Sequence, residues 1–194
     1  MMRELVYHVA VTLDGFIAGP DGDTSAFPVD GDDVTALLRE YPDTIPTHVQ
    51  RAAGIEADRS RYDTIIMGWR TYTPALTAGI ASPYAHLRQI VASRQERPLP
   101  PDIERTADPV ATVRTLKAEQ GSGIYLAGGG ELAAALVDEV DRLLLKVHPF
   151  LLGAGVGMFG GAGTEGAAPG PRRFRPVRRR EFDSGVVFAE YVRA

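Results

Sequence analysis

Short apolar runs and helix-spaced apolar positions alternate along this chain. Leu5 to Val11 is apolar at most positions and stops at Asp14-Gly15, the pattern of a strand closed by a turn. A Gly-, Asp- and Pro-rich loop is expected from Asp14 to about Asp32. Val34, Leu37 and Leu38 then share a helical face, and a weaker helical spacing runs from Thr47 to Ile55. Thr64 to Met67, Gln89 to Ala92 and Ile124 to Ala127 read as three short buried strands, with a helix-like stretch after the first. Residues 96–102 are Pro-rich loop. Val110, Val113 and Leu116 mark a helix over Pro109 to Lys117, and Glu131 to Val137 is a second, rich in Ala and Leu. Leu143 to Val147 is a fourth strand. Gly153 to Pro171 is Gly/Ala-rich and is expected to be a mobile surface loop. Phe174 to Val192 reads as a hairpin turning at Asp183-Ser184-Gly185.

Buried strands alternating with helices predict an α/β fold. It is a three-layer αβα sandwich on a mostly parallel sheet, closed by a C-terminal antiparallel hairpin. No internal repeat is present, and residues 1–194 read as a single domain.

Composition narrows the chemistry. At 44% hydrophobic residues the chain can bury a full core without metal or disulfide staples. It has no cysteine, which excludes disulfides, thiol nucleophiles and Cys-based metal sites and fits a reducing compartment. The net charge of −4 gives no electrostatic reason to seek nucleic acid. The N-terminal apolar stretch lacks a signal-peptide plan, and no apolar run approaches the roughly 20 residues that span a bilayer. A soluble cytoplasmic protein without nucleic-acid, membrane or metal partners is expected.

Three strand ends carry residues suited to phosphate. Gly68 follows a strand and precedes a helix start, where backbone N–H groups and the helix dipole favour an anion, and Arg70 and Thr71 add donors. Ser93 and Arg94 stand just past the second strand. Gly128-Gly129-Gly130 follows the third and precedes a helix, and absent Cβ atoms let a ligand approach the backbone. Each signal has a plainer reading as a tight turn or a solvated loop. Together they point to a nucleotide cofactor at the carboxyl ends of the strands. Neither a dinucleotide-binding G-x-G-x-x-G after the first strand nor a Walker-type loop is present.

Five segments in order carry a resemblance: Val11 to Gly19, Met67 to Tyr72, Val91 to Arg94, Leu126 to Leu132 and His148 to Gly153. Together they resemble the dihydrofolate-reductase-like superfamily, and within it the reductase domain of bacterial riboflavin biosynthesis. The resemblance implies an NADPH-dependent oxidoreductase acting on a small pteridine- or pyrimidine-like heterocycle. It implies that Gly68, Trp69, Arg70 and Thr71 hold cofactor phosphates, and that Ser93 and Arg94 lie by the 2′-phosphate. It also implies that Gly128, Gly129, Gly130, Glu131 and Leu132 wrap the pyrophosphate, across a cis or strained Gly128–Gly129 peptide. Ala10, Ile17, Ala18 and Gly19 would border the nicotinamide, with the Asp14 to Gly22 loop closing over it. The family often carries Arg directly after the glycine of its second motif; here that place is Trp69, which leaves the 2′-phosphate to Arg70 or Arg94. The resemblance also implies a sheet of about eight strands and a homodimer, for which Val186, Val187 and Phe188 on the hairpin offer an apolar edge.

Other residues admit two roles. Asp14 is a candidate catalytic residue that orients substrate or its proton, or else the maker of a local Asx-turn. Asp30, Asp32 and Asp33 lie where folate reductases carry a substrate-binding acid, but Asp at a helix start more commonly caps it. Trp69 and Tyr72 stack on adenine or pack. His8 reads as a core or rim histidine and His148-Pro149 as structural. The basic run from Arg172 to Arg180 reads as a solvated edge strand, against a nucleic-acid site. A nucleotide-binding module without turnover is the alternative function.

Overall fold

Along Leu5–Thr12 (β1), odd and even residues enter different cores, which is what a strand buried on both faces requires. Leu5 and Tyr7 join a cluster with Ile66, Val113, Leu126 and Leu136, whereas Val6 joins one with Ala36, Ile65, Met67 and Tyr125. The computed structural model describes residues 3–160 and 170–194. After β1 come β2 (Phe16–Ala18), α1 (Asp32–Glu40), α2 (Thr47–Ala53), β3 (Tyr62–Gly68), α3 (Trp69–Thr77), β4 (Arg88–Ala92) and β5 (Ile103–Thr106). Then follow α4 (Pro109–Ala118), β6 (Gly123–Gly128), α5 (Gly130–Ala135), β7 (Arg142–His148), β8 (Val156–Gly157), β9 (Phe174–Glu181) and β10 (Val187–Arg193).

The main sheet has eight strands in the order β5-β4-β3-β6-β1-β7-β10-β9. All pairs from β5 to β7 are parallel, and β10 and β9 add the antiparallel hairpin. The three-layer α/β fold expected above is therefore the fold observed, with β4, β3 and β6 as parallel neighbours. Helix α4 shows how locally its boundary is written: Pro109 fills the first helical position and Asp108 accepts the Ala111 N–H at 3.0 Å.

Three expectations are corrected. The two presumed loops around Phe16 and Val156 contain β2 and β8, which pair with each other. They were missed because two- and three-residue strands have no periodicity to read. Strand β5 was also missed: with only Ile103 and Thr106 buried, it shows no apolar run. The hairpin residues Val186 and Phe188 are 2% and 7% exposed, packed with Phe182 at 4.6 Å between rings. They serve the chain's own core and offer no free apolar edge. The outer strand is β9, whose Arg178 and Arg180 face Glu40 at 3.7 and 2.5 Å, as a charged edge strand should. Residues 161–169 of the expected Gly/Ala-rich loop lie outside the described residues.

Candidate cofactor and substrate site

Parallel pairing brings the phosphate-suited strand ends to one level. Gly68 pairs with Ala92, just before Ser93, and Met67 pairs with Gly128 across a register shift at the end of β6. Bulges of this kind re-aim a strand end beside a site. A Cβ built on Gly68, Gly128 or Gly129 would meet no neighbouring atom closer than 3.7 Å. Packing against the protein thus does not demand glycine at Gly68 or Gly129, and the space where their Cβ atoms would lie is open. Thr71 borders it, its Oγ1 3.7 Å from a Cβ on Gly129. The Gly128–Gly129 peptide is cis, as the resemblance implies.

The third glycine has a different task. A Cβ on Gly130 would overlap the Gly157 carbonyl oxygen and come within 2.8 Å of the Gly160 nitrogen. Gly130 admits the segment around β8 on the side where its Cβ would lie. Leu132 likewise packs into the core at 7% exposure, and Glu131 is exposed opposite Arg70 at 3.6 Å. Of the three glycines expected to wrap a pyrophosphate, Gly128 and Gly129 leave open space where a Cβ would lie.

The segment around β8 straps in place the residues expected to border a nicotinamide. Ala18 pairs with Val156, and the Tyr7 hydroxyl donates to the Met158 carbonyl at 2.9 Å. Gly155 runs so close to the Ala18 carbonyl that a Cβ would overlap it. Ile17, Ala18 and Gly19 are thus held beside the end of β1, while Ala10, within β1, stands opposite Lys146. Asp14 is tied down. It accepts the Thr12 hydroxyl at 2.5 Å and the N–H groups of Gly153 and Leu152 at 2.7 and 3.1 Å. The Thr12 hydroxyl, and then these N–H groups, hold its carboxyl below the usual range. So placed, Asp14 pins the turn after β1 to the loop after β7; a carboxylate stabilised as the anion is a poor proton donor.

On the opposite face of β1 the structure assembles polar groups that the sequence reading kept apart. Ala10 pairs with Lys146 and Thr12 with His148, so both side chains of β7 share a face with His8. Helix α1 covers that face and turns Asp33 inward at 4% exposure. None of the three aspartates caps α1: the residue before it, Gly31, makes no side-chain cap, Asp32 accepts the N–H groups of Asp183 and Ser184, and Asp30 is exposed. Burial pushes the Lys146 ammonium down to about 8, with the Asp33 charge opposing. Burial also lowers His148, reinforced by the Lys146 charge and opposed by Asp33. Both nitrogens of His8 and the Nδ1 of His148 are buried without a hydrogen-bond partner. Aromatic rings enclose them: Tyr41 lies 4.8 Å and Tyr125 6.1 Å from His8, and Phe27 lies 5.1 Å from His148.

His8 makes a stability prediction. Burial, followed by the Lys146 charge, holds its imidazole well below 6.5. Below about pH 6.5 the unfolded chain therefore takes up a proton that the folded chain refuses, and stability falls with pH. His8→Leu is expected to flatten this acid limb and raise the melting temperature at about pH 5 relative to the parent. Thermal melts across the acid range check it; an unchanged slope rejects it.

The signal for this second face was present but faint. Lys146 and His148 continue the alternation of Leu144, and Asp33 stands three and four residues before the core-facing Ala36 and Leu37. A charge on an apolar stripe is what marks it. At the glycine-lined strand ends, Arg94 is exposed, the Ser93 hydroxyl donates to the Gln95 carbonyl at 2.9 Å, and Trp69 and Tyr72 pack edge to face at 5.8 Å.

Comparison with known proteins shows the family and the fold. Residues 3–188 match the RibD C-terminal domain family. An uncharacterized protein of Bacillus subtilis, YwjB, is 29% identical over 166 residues, 82% of this chain and 84% of that protein. A putative riboflavin biosynthesis protein from a Shewanella species superposes with a TM-score of 0.67 at 21% identity, covering 100% of this chain and 99% of that one. A Thermotoga maritima diaminohydroxyphosphoribosylaminopyrimidine deaminase/5-amino-6-(5-phosphoribosylamino)uracil reductase also superposes at 0.67, with 17% identity. This chain spans 57% of its length.

Proposed function

The chain belongs to the RibD C-terminal domain family, with a dihydrofolate-reductase-like fold, and on that premise we propose that it is an NADPH-dependent reductase of a small pteridine- or pyrimidine-like heterocycle. One observation carries the reading. The open glycine cradle at the ends of β3 and β6 and the group of buried Asp33 and His148 with half-buried Lys146 flank the same end of β1.

Bound NADPH supplies the hydride. The chain's own residues do the rest. Gly68 to Thr71, with Gly128 and Gly129, would hold the phosphates, and Ala10, Ile17, Ala18 and Gly19 would border the ring. Asp33 accepts a hydrogen bond from a ring N–H, and Lys146 donates to a ring oxygen or nitrogen. The surrounding aromatic side chains exclude water, which strengthens both contacts. Lys146 holds a proton that it can release near neutral pH, at the atom adjoining the reduced carbon.

The test mixes purified protein with NADPH and follows its absorbance while dihydrofolate, pteridines and aminouracils are offered in turn. Oxidation of NADPH dependent on one of these rings is expected. Cofactor binding without turnover of any ring would favour a nucleotide-binding module instead.

A further inference from the structure

Trp69 stands where the resembling family often places the arginine that meets a 2′-phosphate, and the structure puts a guanidinium back over that position. The guanidinium carbon of Arg97 lies 4.5 Å from the centroid of the Trp69 ring. The ring is itself braced edge-on by the fully buried Tyr72. Arg97 donates from Nη2 to the Gln95 side-chain oxygen, and its Nε is buried with no acceptor among the described residues. A cation held over a ring is pre-ordered for an anion.

The other cations at this end are differently placed. Arg105 donates to the Ser93 carbonyl at 3.1 Å and faces Glu96 at 3.8 Å. Arg70 extends into solvent beside Glu131. Arg94 is exposed and makes no hydrogen bond or ion pair among the described residues, so nothing orders it. Gly68, which pairs with the strand end before Ser93, immediately precedes Trp69.

We infer that Arg97, stacked on Trp69, is the residue that selects a dinucleotide bearing a 2′-phosphate over one without it. The inference rests on the dinucleotide-dependent reading above and departs from the assignment of that contact to Arg70 or Arg94.

Trp69 is the chain's single tryptophan, so its fluorescence reports on this spot directly. The full-length protein is titrated with NADPH and separately with NADH, following Trp69 emission and without any substrate. The parent is expected to bind NADPH more tightly than NADH. Arg97→Met is expected to lose on the order of tenfold to a hundredfold in NADPH affinity, the worth of a charge-assisted contact, and to leave NADH affinity alone. Arg94→Met is expected to keep the preference. Arg97→Lys, which retains the charge, restores part of the loss; a loss as large as with Met would assign the effect to packing on Trp69 and overturn the inference. An Arg97→Met protein that still prefers NADPH, or an Arg94→Met protein that no longer does, also overturns it. Equal parental affinity for NADPH and NADH overturns it while leaving the reductase reading in place, whereas binding of neither removes both.

Discussion

Gly129→Ala is expected to bind NADPH at least about tenfold more weakly than the parent while melting at nearly the same temperature, and Gly130→Ala is expected to do the reverse. The two glycines are adjacent and both open toward α5, so sequence alone treats them alike. A Cβ on Gly129 would sit 3.7 Å from Thr71 Oγ1, an ordinary contact the fold accepts, and φ there is −86°, open to any residue. The methyl group would occupy space facing the cradle, where a phosphate must approach the backbone. A Cβ on Gly130 would overlap the Gly157 carbonyl and crowd Gly160. The strap would have to move, at a cost of about 1–3 kcal/mol for an overpacked site. Calorimetric melts and cofactor titrations on both variants separate the two effects. A Gly129→Ala protein with parental affinity would take the triple glycine out of the cofactor site.

Asp33→Asn should abolish most turnover and leave cofactor affinity intact. The carboxylate sits on the α1 face of the sheet, away from the cradle, and is the acid whose charge sustains the Lys146 proton. Loss of a positioned acid–base partner costs about 10²–10⁴ in rate. The pH dependence carries the sharper signature. With Lys146 titrating at about 8, parental turnover should fall as pH rises through that value. Asp33 raises the Lys146 pKa, so removing its charge should move the alkaline limb to lower pH. The measurement is the pH profile of kcat/KM for whichever pteridine or aminouracil the parent reduces. A variant with parental rate, or with the limb unmoved, would detach Asp33 from the chemistry.

What the sequence showed of this site follows from which signals are local. Strand–glycine–helix junctions at Gly68 and Gly128 are written in consecutive residues, and the three strand ends they imply do meet. The chain order of elements sufficed for the fold, because buried parallel strands read as apolar runs. Asp33, Lys146 and His148 lie on two distant segments, and only packing of α1 across β7 makes them neighbours; the resemblance offered Asp33 as a substrate acid, but helix-start aspartate has a commoner local use as a cap. Arg97 lies in a Pro-rich stretch with no periodicity, and its ring partner is on another helix. At Gly130 the strap approaching from β8 needs a glycine, and a glycine required by an approaching strand and one required by a ligand are identical as letters. Asp14 was legible as a turn residue, and its partners at Leu152 and Gly153 were not.

The position of β1 between β6 and β7 has a consequence for how the molecule comes into being. Its first strand finds its partners only at the far end of the chain, Leu5 beside Ile124 and Thr12 beside His148. Until those segments leave the ribosome, an apolar strand has no neighbours, and neither the glycine cradle nor the Asp33–Lys146 face is complete. Such long-range pairing slows folding and lengthens the time for which an unpaired strand can meet another chain. Binding competence therefore arrives late and all at once, and a dinucleotide in the cell stabilises only chains that have already closed the sheet.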